Sequence, residues 1–195
     1  MLTLTNRQQL ATGLGLIALM AVTRGNHFAT SIHLPEASLA IFFLAGVYVR
    51  QFWLFAALLF ESVLLDFTAV TIGGISDYCI SPAYGFLLPA YGVLWMAGRW
   101  YASQHQFQFK TLLPLGASLF AGAFLSELLS SGGFYFFSGN FADTNLMTLG
   151  ARLLQYFPSS LQALFFYMSI AVALHLVFAF AANDSRTTAT NLHGK

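Results

Sequence analysis

A single cysteine, Cys79, lies in the polar stretch Thr71 to Tyr84, beside Asp77 and Tyr78 and between two apolar segments. With no second cysteine it is a free thiol, and its chemistry is that of a soft ligand or a nucleophile. Sulfur suits late, polarizable metal centres, whereas hard cations take oxygen. Zinc is disfavoured, because the nearby sequence offers no second Cys and no Cys/His pair at zinc-finger spacing. A metal held through this one sulfur must therefore arrive bound to another ligand, as in a macrocycle. The plainer alternative is a small apolar filler, as single cysteines often are.

The other candidates gather around it. Asp66 falls within about a turn of the end of an apolar segment, with Ser62 one helical turn earlier on the same face. A carboxylate there needs a cavity, water or a cation, and Arg24 and Arg152 are the available partners. Arg152 precedes a polar strip of Gln155, Tyr156, Ser159 and Gln162, interrupted by Pro158, that suits a cavity or a helix interface. It could clamp a phosphate or amide-rich ligand, or simply snorkel. His27 and His33 are a weak metal signal by themselves. Tyr84 and Tyr91 offer a flat amphipathic wall of the kind that receives ring systems. Glu61 and Glu127 lack a basic residue three or four positions away. They read as pairing groups inside a bundle, Glu127 sharing its face with Ser130 and Ser131.

The elements that must position these residues are membrane helices. Of 195 residues 57% are hydrophobic and only 8% charged, with a mean hydropathy of +0.69, against about 25% charge in an average soluble domain. The net charge of +1 gives no field for nucleic acid. Six spans are expected, at residues 10–22, 35–49, 52–70, 82–96, 112–129 and 153–182, forming one transmembrane domain with a polar tail over residues 183–195. The first is short enough to resemble a secretory signal, but no small-x-small cleavage site precedes Arg24. Ala11, Gly15, Ala18 and Ala21 read instead as a close-packing surface. The Gly73-Gly74 and Gly132-Gly133 pairs read as turns with positive φ at the ends of spans three and five.

Arg7, Arg50, Arg99, Lys110, Arg186 and Lys195 fall on one side of such a bundle and only Arg24 and Arg152 on the other. The positive-inside bias then places both termini, and the unstructured tail, in the cytoplasm. Polar chemistry is expected to concentrate on the outer face. No internal repeat is visible, and nucleophile-elbow, His-Glu-x-x-His and phosphate-loop motifs are absent, so any ATP-driven motor is another chain.

Six short spans with both ends inside, small residues in the first and a ligand-facing outer surface resemble an S-component of the energy-coupling-factor (ECF) vitamin transporters. Within that group the chain is similar to the solitary cobalamin-specific family called BtuM, over essentially its whole length and most specifically at His27, Asp66, Cys79, Tyr84 and Arg152. The resemblance implies an all-α, six-helix bundle in the bacterial cytoplasmic (inner) membrane. It also implies that Cys79 is the axial ligand to the corrin cobalt and that the other four residues surround the bound vitamin.

The expected function is uptake of cobalamin or cobinamide from the outer side. Sulfur ligation favours the base-off form, and a strong sulfur donor is expected to labilise an opposite axial cyanide. Span one lacks a clean Ala-x-x-x-Ala repeat for docking a partner, so solitary action and use of a shared ECF energising module both stay open. The alternatives are an S-component for another flat vitamin, with Cys79 incidental, and an intramembrane enzyme whose Cys79 nucleophile is activated by Asp66 or His27.

Overall fold

The computed structural model describes residues 4–24, 34–49, 51–74, 81–106 and 108–193. Within them the chain is helical, with no strand. The α-helices are α1 (Asn6–Arg24), α2 (Ser38–Tyr48), α3 (Phe52–Thr71), α4 (Leu87–Gln104), α5 (Leu112–Phe137) and α6 (Leu146–His193). Short 3-10 turns at Pro82–Phe86 and Phe109–Thr111 lead into α4 and α5. α3, α5 and the Leu146–Phe178 part of α6 are long and apolar enough to cross a membrane. Their outward faces carry Phe60, Phe67, Phe120, Phe165 and Phe178 uncovered, a surface suited to lipid. α1 and α4 have comparable length but more polar sequences. α2, at 11 residues, extends only about 16 Å at 1.5 Å per residue.

α2 is the centre of the bundle. Every residue from Ile41 to Val47 is buried, as a helix apolar on all sides must be. Its closest neighbour is α4, and the crossing depends on two glycines. A Cβ on Gly46 would overlap the Trp95 carbonyl oxygen, and one on Gly98 would overlap the carbonyl oxygen of Phe43. Backbone therefore lies against backbone, with Phe42 stacked on Tyr91 at 4.1 Å between ring centroids.

Several expectations are corrected. α1 turns Gln9, Gly13, Leu16, Met20 and Thr23 inward, whereas Ala11, Gly15, Ala18 and Ala21 are exposed. Within the chain, Gly13 seats the Leu54 side chain and Gly15 meets nothing. The Gly73-Gly74 turn has its positive φ, at Gly74, but Gly132 and Gly133 lie inside α5 and the turn waits until Gly139. Gly133 serves packing, since a Cβ there would overlap the Phe86 ring.

The fourth helix begins at Leu87, with Pro89 tolerated in its first turn, and runs on to Gln104. α6 starts earlier than expected, where Asn145 Oδ1 caps the Thr148 N–H at 2.8 Å. It continues through Pro158 and through the polar tail to His193. Extending an existing helix is far cheaper than starting one, so the tail stays helical where composition reads as unstructured.

Polar groups also gather at a second place. Tyr48 Oη lies 3.0 Å from His175 Nδ1 and Tyr101 Oη 2.9 Å from His105 Nδ1. The two imidazoles meet edge to face at 5.7 Å. This cluster sits at the C-terminal ends of α2 and α4, away from Ser38 and Tyr91, so polar chemistry is not confined to one end.

Candidate functional site

At the other end of α2 and α4 is a cavity of about 1020 Å³, at the large end of the range for small-molecule sites. Arg24, the last residue of α1, organises one wall. Its Nε donates to Asp66 Oδ1 at 2.7 Å and its Nη2 to Asp66 Oδ2 at 2.6 Å, a two-pronged guanidinium–carboxylate pair. Nη1 faces Glu36 Oε1 at 3.1 Å, Ser38 Oγ at 2.9 Å and Tyr91 Oη at 2.8 Å. Ser38 in turn donates to Glu36 at 2.8 Å, and the Tyr84 hydroxyl donates to Asp66 Oδ2 at 2.7 Å.

Local structure explains the convergence. A guanidinium at the C-terminus of α1 meets the negative end of that helix dipole. Asp66 sits just over a turn before the end of α3, and Pro82 starts the 3-10 turn that presents Tyr84. Four elements thus meet on one cation, whose side chain is only 10% exposed. With its partners in place, the guanidinium escapes the cost of an unpaired buried charge.

α5 and α6 supply the rest of the wall, including Ser126, Glu127, Ser130, Ser159, Ser160 and Gln162. Glu127 Oε1 accepts from Ser131 at 2.6 Å, and its Oε2 accepts from Ser160 at 3.2 Å. Apolar surface from Leu34, Leu39, Val70, Leu87, Phe134 and Phe166 completes the lining. An apolar cavity with a few fixed polar groups is built for binding. Among the described lining residues no Ser, Thr or Tyr hydroxyl is paired with a histidine base, and nowhere among the described residues do three His, Cys, Asp or Glu side chains converge as a metal site.

Of the expected site residues, Asp66 and Tyr84 are brought together in the cavity wall. Arg152 is not in that wall. Its guanidinium lies over the rings of Phe141, Tyr156 and Tyr135, at 4.8, 5.6 and 5.8 Å, where the chain passes from α5 to α6. Tyr135 holds that passage closed by donating to the Asp143 carbonyl and accepting from the Asn145 N–H. Of the polar strip after Arg152, Ser159 and Gln162 reach the cavity and Gln155 and Tyr156 do not. His27, His33, Asp77, Tyr78 and Cys79 lie outside the described residues.

The cavity also uses groups that were not singled out as ligand contacts. Glu36, Ser38 and Ser160 carry no distinctive spacing, and Glu127 carried only its Ser131 neighbour at four residues. No protein-family model matches the chain, and no curated protein matches it significantly.

Proposed function

We propose that this chain is a corrinoid-binding uptake protein of the cytoplasmic membrane. In this reading it is an S-component of the ECF type, similar to the BtuM family, and it takes cobalamin or cobinamide from the outer side. The observation that carries the reading is the cavity itself, a large, mostly apolar space with the Arg24–Asp66–Tyr84 network fixed in its wall. Val70 and Ala83, which line it, bracket Cys79 in sequence. An amphipathic macrocycle rimmed with amides needs such a mixture of apolar area and fixed polar groups.

Cys79 supplies the thiolate as axial ligand to the corrin cobalt, and one sulfur suffices because the cobalt is already held by the corrin. His27 belongs to the same proposed ligand set, and Arg152, held over the rings of Phe141, Tyr156 and Tyr135 outside the cavity wall, is left out of it. In a base-off complex the sulfur takes the lower axial position. An opposite cyanide is then labilised and leaves with its electron pair, so the cobalt keeps its oxidation state. α3, α5 and the apolar part of α6 cross the bilayer, α2 is enclosed among the other helices, and both termini are cytoplasmic. Energising comes from a shared ECF module or the protein acts alone.

The test is the absorption spectrum of the purified protein with added cobalamin. Bands shifted from those of the free vitamin, and restored to the free positions by Cys79→Ala, are expected. A protein that leaves the cobalamin spectrum unchanged would sink the proposal. Cyanide release at the same rate from Cys79→Ser protein would remove the labilising step alone.

A further inference from the structure

The polar groups that α5 and α6 turn toward the cavity take no part in the Arg24 network. Ser126, Glu127 and Ser130 share a face of α5, and Ser159, Ser160 and Gln162 come from the turn after Pro158 in α6. Glu127 is held from both sides by Ser131 and Ser160. A carboxylate oxygen can accept two hydrogen bonds, so each keeps acceptor capacity beyond the serine it holds. Ser126 is only 1% exposed and lines the cavity. Among the charged groups of the described lining, one guanidinium, Arg24, stands against three carboxylates, Glu36, Asp66 and Glu127.

We propose that Glu127, steadied by Ser131 and Ser160, is a specificity-determining residue that accepts hydrogen bonds from uncharged amide N–H groups of the ligand and rejects carboxylates at the same positions. The proposal rests on the corrinoid reading and deepens it, since the corrin rim presents side-chain amides. Glu127 supplies acceptors only. An amide N–H₂ satisfies them, whereas a carboxylate brings a like charge into a cavity that is already acidic. Ser126 and Gln162 add groups able to bond either end of an amide.

Binding of two probes to the full-length protein in detergent tests this. One is cobinamide, with its amide rim, and the other is cobyrinic acid, in which the rim amides are carboxylates. Wild-type protein is expected to bind cobinamide at least about tenfold more tightly. Glu127→Gln, which removes the charge and keeps the shape, is expected to shrink that ratio several-fold, and Ser160→Ala, which frees one carboxylate oxygen, to change it less.

A wild-type ratio near one overturns the proposal whatever the variants do. A ratio that both variants leave unaltered overturns the role of Glu127 while the corrinoid reading stands. Failure of wild-type protein to bind cobinamide overturns the proposal, and failure to bind cobalamin as well overturns the corrinoid reading with it.

Discussion

Arg24 has a partner on every reachable side, and that saturation explains how a guanidinium persists where it is nearly enclosed. Asp66 takes two of its N–H groups and Tyr84 then bonds the same carboxylate, so the three residues act as one unit. Replacing Asp66 by Asn keeps the shape but removes the charge that balances the guanidinium. The expected cost is about 2–4 kcal/mol, less than for a fully buried pair because the Asp66 side chain is 28% exposed. Thermal unfolding in detergent measures it, and combining Asp66→Asn with Tyr84→Phe should cost less than the sum of the two. That Asp66 needs a cavity, water or a cation is legible from its depth in an apolar segment. Which arginine answers is not, because Arg24 and Arg152 both lie far from Asp66 in sequence and neither is favoured until the helices are packed. Arg152 found aromatic faces instead, a contact with no fixed sequence spacing.

At the scale of the elements, α2 and α4 decide where the cavity lies, and glycine decides how closely they cross. Gly98→Ala drives a methyl into the Phe43 carbonyl and is expected to cost at least about 1–3 kcal/mol as the helices are pushed apart. Gly15→Ala on exposed α1 meets nothing and should be neutral or stabilising by up to about 1 kcal/mol through helix propensity. Equal effects at the two positions, measured by unfolding midpoint, would contradict the packing described for α2 and α4. Apolarity marks both helices in the sequence, but it does not separate a glycine that admits a backbone from one that faces outward. The Gly132-Gly133 pair reads as a turn for that reason, and the small-residue face of α1 is covered by nothing within the chain. A missing Cβ has the same spelling whether it serves a turn, a crossing or nothing.

Taken whole, the molecule carries the cavity at one end of α2 and α4 and the two-histidine cluster at the other. His105, just beyond α4, has its imidazole held below its ordinary value of about 6.5, first by burial and then by the neighbouring His175. Among the described residues, Tyr101, on its own Nδ1, and His175, which is itself bonded to Tyr48, face it. With a depressed value in the fold, His105 stays neutral while the unfolded chain takes up a proton. Stability from this residue is therefore complete above about pH 6.5 and is lost as pH falls from there through the folded-state value. Wild-type protein should lose more of its melting temperature between pH 8 and pH 5.5 than His105→Gln, which cannot titrate. Parallel losses in the two proteins would show that His105 contributes no pH dependence.

Composition alone determined that the chain is helical and apolar enough for lipid, because so few charged residues leave it no soluble surface. The order of six helices and the need of Asp66 for a cavity, water or a cation were likewise present in the pattern of apolar runs and the residues that interrupt them. Only tertiary structure decided that Arg24 is that cation, that Glu36 and Glu127 share a cavity with Asp66 and Tyr84, and that Arg152 stands outside its wall. Hydrophobic periodicity reports which face of a helix is buried, but not which other helix it will meet. A site assembled from six helices and a turn is therefore written in the packing.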